Sequence, residues 1–296
     1  MTQALPVNKP RIDAKAAFGA LVVGALAMGA SPIFVRWADV GPFTSAFWRV
    51  FLALPALWAW TVLSERGEEA RPTARFSWPT ILAGLAFTGD LLFWHVSIVT
   101  TSVANATFFA TTAPIWVVAF GWLLFRERVR RGVLAGLALC LAGGAALLAR
   151  SLQIHPSGAL GDLYGLATGV FFGLYFLAVQ AARKDSSAPR VTFEATLITA
   201  ALLFIVAAFA EHALLPHSLR GALALLAMAW ISHAGGQGLL AVALGRLPAA
   251  FSSLVIFLEA IAAAGFAFLL LGEPVSMAQA VGGLLILAGI YVARPT

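Results

Sequence analysis

Residues 104–144 read ANATFFATTAPIWVVAFGWLLFRERVRRGVLAGLALCLAGG, and this stretch decides the fold. An apolar run opens it and continues to Leu124, where the charged sequence at 126–128 interrupts it. A second apolar run, rich in glycine, extends from Gly132 to Leu148. Runs of about 20 apolar residues are long enough to cross a bilayer as helices. The stretch therefore predicts two consecutive membrane-spanning helices joined by a short basic loop.

The same plan recurs 146 residues further along the chain, without a gap. Chance identity is high in a chain so rich in Ala and Leu, so the glycine and glutamate matches carry most of the weight. We interpret the chain as two halves of one duplicated unit. Equivalent residues are Ala104 and Ala250, Thr107 and Ser253, Phe120 and Phe266, Leu124 and Leu270, Glu127 and Glu273, Gly136 and Gly282, Gly143 and Gly289, and, upstream, Gly19 and Gly165, Phe47 and Phe193, and Gly89 and Gly235.

The composition excludes a water-soluble protein. Hydrophobic residues make up 61% of the chain and charged residues only 11%, with a mean hydropathy of +0.91. So few polar residues cannot cover the surface of a soluble domain. The apolar runs are continuous rather than alternating, which excludes a β-barrel. The predicted fold class is therefore an all-α membrane protein.

Ten apolar runs follow one another, five in each half. Because five is odd, the second half must be inserted upside down relative to the first. We expect a cytoplasmic tail at 1–15, a first five-helix repeat at 16–150 and a second, inverted repeat at 159–294, and Ser31-Pro32 should kink or end the first helix. The predicted spans, numbered 1 to 10, are about 16–35, 43–63, 78–98, 103–125, 132–149, 159–182, 191–210, 219–244, 248–271 and 277–293.

The positive charge of the chain indicates its orientation. The net charge is +6 and the pI is about 10.2, but the basic residues lie in loops beside the spans, which disfavours nucleic acid as a partner. Of the 19 Lys and Arg, only Arg36, Arg150 and Arg220 fall on the side opposite the N-terminus, and Arg49 lies within span 2. Both termini should therefore face the cytoplasm. The single cysteine, Cys140, has no intrachain partner for a disulfide.

Asp90 and Glu259 are the acids predicted near the middle of spans. Charges at that depth are costly and usually line a cavity or are paired. Either carboxylate could bind a substrate ammonium group or exchange a proton. The alternative is a neutral, hydrogen-bonded carboxyl group that holds two helices together.

Trp94 and His95 lie one turn beyond Asp90 in span 3. The histidine could donate a hydrogen bond to a substrate carboxylate or titrate near neutral pH, and the tryptophan could stack on an apolar or aromatic group. The alternatives are a core histidine bonded to a backbone carbonyl and a tryptophan that packs. We predict both residues at a substrate cavity.

Span 4 carries a polar stripe. The helical spacing places Asn105, Phe108, Thr111 and Thr112 near one side. Hydroxyl and amide groups on one stripe suit the wall of a polar cavity, and they equally suit hydrogen bonds between helices. Both interpretations stay open.

His233 and Gln237 lie four residues apart on one face of span 8 and are further cavity candidates. The glycines around them more plausibly allow close packing of helices. Glu127 and Glu273 end spans 4 and 9 at opposite membrane faces, which predicts a repeated structural or gating role.

The pattern resembles the EamA branch of the drug/metabolite transporter superfamily over residues 16–294. Trp94-His95 and the aromatic-rich first half are similar to the YddG-type amino-acid exporters. The resemblance implies ten helices in two inverted repeats around a central cavity, alternating access, and a structural or gating position for Pro114. Glu259-Ala260 stands where such proteins often have a proline, which leaves open whether spans 4 and 9 bend alike. The resemblance is carried by Pro114, Glu127, Gly136 and Gly143 and by Glu273, Gly282 and Gly289.

The leading hypothesis is a secondary transporter that exports neutral or aromatic amino acids, or related small metabolites, across a bacterial inner membrane. The alternative is a proton-coupled exporter of drugs or organic cations, in which Asp90 or Glu259 binds the cation. The absence of a Walker-type loop argues against ATP as the energy source, and the absence of His-Glu-x-x-His and Gly-x-Ser-x-Gly argues against an enzyme. A duplication without a recognisable filter disfavours a channel.

The expected partners are a small-molecule substrate and the lipid bilayer, with no nucleic acid, no cofactor and no metal. The sequence leaves open the substrate, the coupling ion, the conformational state and the oligomeric state, a monomer being one interpretation.

Overall fold

A computed structural model of the chain describes residues 13–66, 75–101, 103–126, 128–148, 158–271 and 275–295. Regular secondary structure within these ranges is helical. The helices are α1 (Ala14–Met28), α2 (Ser31–Trp37), α3 (Pro42–Phe51), α4 (Leu54–Glu65), α5 (Trp78–Thr100), α6 (Val103–Ala110), α7 (Ala113–Phe125), α8 (Arg131–Leu148), α9 (Ala159–Ala182), α10 (Ala188–Ala210), α11 (Leu219–Ala227), a π-helical segment (Met228–Gln237), α12 (Gly238–Leu244), α13 (Ala249–Val255), α14 (Leu258–Leu271) and α15 (Met277–Ala293).

These helices form ten apolar segments in the described part of the chain, one for each predicted span. Eight are at least 18 residues long and apolar enough to cross a membrane. The other two, α8 and α15, are shorter apolar helices of about 25 Å at 1.5 Å per residue. The all-α membrane fold with ten spans is confirmed.

Spans 1 and 2 are each broken into two helices. In span 1, α1 ends at Met28 and α2 begins at Ser31 with a proline in its first turn, which confirms the break predicted from Ser31-Pro32. In span 2, α3 ends at Phe51 and α4 begins at Leu54, again with a proline in the first turn. Proline fits a first turn because the amide it lacks would have no helical partner there.

Spans 4 and 9 break within one residue of the same position in their repeats, although only span 4 has a proline there. In span 9 the amides of Phe257, Glu259 and Ala260 donate to carbonyls three residues back, at 2.8–3.1 Å. The Ser253 hydroxyl also donates to the Ala250 carbonyl at 3.1 Å. Such bonds compete with the regular i to i−4 pattern and bend helices. Both spans are therefore interrupted here, span 4 with a proline and span 9 without one.

Spans 5 and 10 pack through the repeated glycines. A Cβ atom added to Gly136 would lie 2.5 Å from the carbonyl oxygen of Gly289, and one added to Gly143 would lie 2.6 Å from that of Gly282. In the reverse direction, a Cβ atom added to Gly282 would lie 2.5 Å from the Gly143 carbonyl oxygen, and one added to Gly289 would lie 2.7 Å from that of Gly136. The residue number of the contacting glycines increases along α8 while it decreases along α15, so the two helices are antiparallel. This reciprocal contact is what an inverted repeat requires.

Spans 2 and 7 are joined at both of their ends by equivalent glutamates. Glu211 follows α10, and its carboxylate accepts hydrogen bonds from the backbone amides of Phe43 (2.8 Å) and Thr44 (3.0 Å) at the start of α3. Glu65, the repeat equivalent of Glu211, ends α4 and pairs with Arg190, the equivalent of Thr44, through two hydrogen bonds of 2.8 and 2.5 Å. Each glutamate therefore binds the first turn of the opposite span.

Candidate functional site

A cavity lies between the two halves where several spans lose regular α-helical geometry. Its volume is about 70 Å³, room for roughly five waters. Gly29 lines it at the break in span 1, Thr111 at the break in span 4, Ile256 at the break in span 9 and Gln237 at the end of the π-helical segment. Irregular backbone is tolerated within a membrane where it faces such a cavity.

Repeat-related positions from both halves line the cavity. Because equivalent backbone positions meet there, the pseudo-twofold axis that relates the repeats passes through it. The central cavity that the family resemblance implies is present. The equivalent lining pairs are Leu91 and Gln237, Thr107 and Ser253, Ala110 and Ile256, Thr111 and Phe257, and Ala113 and Glu259.

The charged residues that line the cavity are Arg49, Asp90 and Glu259. Arg49 is on α3 and Asp90 is in the middle of α5, and both are buried. Glu259 is half-buried in the first turn of α14. Arg49 interacts electrostatically with both carboxylates. Spans 2, 3 and 9 thus bring one cation and two anions to a single cavity.

The two acids that the sequence singles out lie on this one cavity, although 169 positions separate them along the chain. Within the described residues, neither the Asp90 nor the Glu259 carboxylate makes a hydrogen bond or an ion pair closer than 4.0 Å. A carboxyl group that joined two helices would have such a partner. The pair is therefore open to a ligand or to water.

Arg49 is the charged residue of the cavity that the sequence reasoning missed. Its side chain is 95% buried, with a relative exposure of 5%. The guanidinium carbon lies 5.6 Å from the centroid of the Trp94 ring, within the range of a cation–π contact. The sequence did contain a signal, because Arg49 is the basic residue placed inside a predicted span, where charge is costly.

Trp94 and His95 point to different surroundings. Trp94 lines the cavity, and its ring makes an edge contact with the His95 ring at 4.9 Å. His95 is fully buried, is absent from the cavity wall and donates from Nδ1 to the Leu91 carbonyl oxygen at 2.9 Å. This is the local hydrogen bond that the packing alternative expects. The Nε2 atom is buried without a partner among the described residues.

The polar stripe of span 4 divides between the cavity and the neighbouring span 6. Thr111 lines the cavity. Asn105 and Thr112 are not among the residues that line it. Asn105 Nδ2 donates to Asp162 Oδ1 at 2.8 Å, and the Thr112 hydroxyl donates to the Phe109 carbonyl at 2.6 Å. Phe108 contacts the Phe109 ring at 5.6 Å. The structure therefore places one of the four candidates on the cavity.

His233 and Gln237 also separate. His233 is buried against the Phe87 ring at 5.2 Å, and its Nε2 lies 2.9 Å from the Thr196 hydroxyl, so it bonds between spans 8 and 7. Gln237 lines the cavity, and its buried Oε1 atom has no hydrogen-bond partner in the described part of the chain. The same holds for the Ser31 hydroxyl, which also lines the cavity. These atoms are ready acceptors for a polar ligand.

Pro114 lines the cavity at the start of α7. Glu127 and Glu273 lie outside the described residues, so their predicted structural or gating role stays a prediction. Among the residues that the structure describes, no group of His, Cys, Asp and Glu is arranged to hold a metal ion.

A bundle of ten apolar helices in two inverted repeats, with charged residues at a central cavity, defines a multi-pass membrane transporter. The chain belongs to the EamA-like transporter family, whose profile matches residues 15–149 and again residues 159–294. The family matches both halves separately, as the duplication requires.

Two curated relatives agree with this assignment, and a solved structure shares the fold. Two curated relatives from Archaeoglobus fulgidus, each named an uncharacterized transporter, are similar to the chain. One is 26% identical over 293 residues, covering 93% of this chain and 94% of the relative. The other is 24% identical over 282 residues, covering 92% and 95%. A solved structure described only as the crystal structure of a protein matches with a TM-score of 0.81 and 21% identity, over 95% of this chain and 96% of that one.

Proposed function

We propose that the protein is a secondary transporter that exports amino acids, neutral or aromatic, or closely related small metabolites, and that it has no catalytic activity. The observation that supports this most is the cavity on the repeat axis, whose wall combines charged groups with unpartnered polar atoms. In this proposal it lies in a bacterial inner membrane with both termini in the cytoplasm, because the basic residues concentrate on that side.

Alternating access is part of the proposal. A cavity of about 70 Å³ is too small for an amino acid of ordinary size, so loading requires the surrounding helices to move. Breaks in spans 1, 4 and 9 provide places to bend next to the site, as in transporters whose discontinuous helices surround a midplane site. Asp90 and Glu259 would bind the ammonium group, Trp94 would stack on the side chain, and Thr111 and Gln237 would supply polar contacts.

A second candidate function is the proton-coupled export of organic cations. Two unpartnered carboxylates that line the same cavity as the Trp94 ring favour it, because anionic and aromatic groups together bind cations. In that case Asp90 and Glu259 would exchange protons for the cation.

Transport into proteoliposomes distinguishes the two. The purified protein would be offered neutral, aromatic and basic amino acids and one organic dication, with and without a pH gradient. Saturable amino-acid flux with counterflow is the expected result. Flux confined to the dication and dependent on the gradient would replace the first function with the second, and flux that never saturates would contradict a carrier.

A further inference from the structure

Arg49 is a buried cation whose hydrogen-bonding capacity is unused. A guanidinium group has five N–H donors and no acceptor. No described residue accepts a hydrogen bond from Arg49, and its buried Nε atom is without a partner. Leaving a buried charged donor unsatisfied is costly. An acceptor from outside the chain is therefore the missing component at this position.

The cation has a fixed position. The Trp94 ring lies under the guanidinium at 5.6 Å, and an aromatic face leaves the N–H groups in the guanidinium plane available. Asp90 and Glu259 line the same cavity but lie more than 4.0 Å from the guanidinium nitrogens, since neither forms an ion pair with it. The two carboxylates thus attract the cation without occupying its donors.

The two repeats share a backbone plan, but the charged residues of the cavity are not repeated. The repeat equivalent of Asp90 is Gly236, that of Glu259 is Ala113 and that of Arg49 is Ala195. Each charge therefore occurs once around the pseudo-twofold axis. A ligand that carries both a positive and a negative group is bound in one orientation, while a ligand with a single charge meets a repulsive group.

We propose that Arg49, held by Trp94, binds the carboxylate of the transported molecule and that the protein selects zwitterions against the corresponding amines. A planar guanidinium matches a carboxylate with two parallel hydrogen bonds. A site built to bond a group rejects an analogue that lacks it, because the site's buried polar atoms are then left unpaired. This inference rests on the proposed amino-acid export and assigns the two poles of the substrate.

The test compares phenylalanine with phenethylamine, which lacks only the carboxylate. Uptake of both compounds is measured in proteoliposomes with the wild-type protein and with Arg49→Gln, Arg49→Lys and, as a matched control, Arg36→Gln, which removes an exposed arginine of α2. In the wild type we expect at least tenfold preference for phenylalanine. Arg49→Gln should raise the KM for phenylalanine tenfold or more and leave that for phenethylamine the same or lower. Arg49→Lys should fall between them, and Arg36→Gln should match the wild type.

Several results would overturn the assignment. Equal loss of both fluxes in Arg49→Gln would make Arg49 a structural residue, and an unchanged KM for phenylalanine would remove it from the site. If Arg49→Gln does not yield folded protein, the uptake by Arg49→Lys is the test. Full preference for phenylalanine over phenethylamine in Arg49→Lys would contradict two parallel hydrogen bonds from Arg49 to the carboxylate.

Failure of the proposed function gives a different result. If the wild type carries phenethylamine but not phenylalanine, both the amino-acid function and the carboxylate assignment are wrong. If it carries neither, export of phenylalanine is wrong, and binding of a second zwitterion, leucine, compared with its decarboxylated amine, 3-methylbutylamine, then decides the inference. A rise in the unfolding temperature of the wild type with leucine that disappears in Arg49→Gln supports a carboxylate site, and no rise overturns it.

Discussion

Glu259 is the cavity acid best placed for a test at the scale of one residue. It is half-buried at the break in span 9, without a hydrogen bond or ion pair to a described residue. Glu259→Gln keeps the shape and removes the charge, so loss of one charge-assisted contact of about 1.5–3 kcal/mol should raise the KM for phenylalanine about tenfold or more. The KM is measured from phenylalanine uptake into proteoliposomes.

The control for this substitution is Asp185→Asn, which removes an acid from the exposed loop before α10. It should leave the KM unchanged. If Glu259→Gln behaves like Asp185→Asn, the ammonium group is bound elsewhere and Asp90 alone becomes the candidate.

Single residues show how far sequence reasoning reaches. The depth of a charge in an apolar run located Asp90 and Glu259, because burial cost depends on local composition. The direction of a side chain around its helix depends on packing that one sequence does not show. The sequence therefore left Asn105 open between the cavity wall and a bond between helices, and it bonds to Asp162 of span 6. His95, next to Trp94, bonds within its own helix.

Hydrogen bonds to Glu211 and Glu65 connect spans 2 and 7, and their contribution to stability can be measured. The Glu211 carboxylate satisfies two amides of the first turn of α3, which otherwise have no helical partner. Glu211→Gln should lower the free energy of unfolding by about 1 kcal/mol, since the charge also interacts favourably with the helix dipole. Thermal unfolding in detergent would show a lower midpoint.

Glu65, the repeat equivalent of Glu211, allows the same test at the other end of the two spans. Glu65→Gln should weaken the contact to Arg190, and a double-mutant cycle with Arg190→Gln should show coupling between the two residues. If the effects of Glu65→Gln and Arg190→Gln are additive, the ion pair does not contribute to stability. If Glu211→Gln leaves the unfolding midpoint unchanged, the Glu211 carboxylate does not stabilise the first turn of α3.

Element breaks were predictable only where proline marks them. Ser31-Pro32 located the break in span 1 correctly. Span 9 is interrupted without a proline, where hydroxyl and amide groups donate to carbonyls three residues back. Ser253 and Thr107 are common helix residues in membranes, so neither identifies a bend from sequence alone. The joining of Glu65 and Glu211 to opposite spans was likewise not expected, although the shift of 146 residues relates them.

At the scale of the whole molecule, the repeats meet across the glycines of spans 5 and 10. The duplication in the sequence predicted the inverted relation of the two halves. It could not predict which spans would pair, because repeat equivalence says nothing about the position of the axis. The reciprocal contacts of Gly136 with Gly289 and of Gly143 with Gly282 locate that axis between α8 and α15.

The symmetry of this contact gives a quantitative prediction. Gly143→Ala would place a methyl group 2.6 Å from the Gly282 carbonyl oxygen, and Gly289→Ala, at the equivalent position, would place one 2.7 Å from that of Gly136. Each should destabilise the protein by about 1–3 kcal/mol because backbone cannot move aside cheaply. Gly265→Ala in α14 meets no atom within 4 Å and should be neutral or stabilising by up to about 1 kcal/mol. The unfolding midpoints in detergent test all three. If Gly143→Ala and Gly289→Ala differ from each other as much as either differs from Gly265→Ala, the two halves do not share the contact equally and the reciprocal packing is wrong.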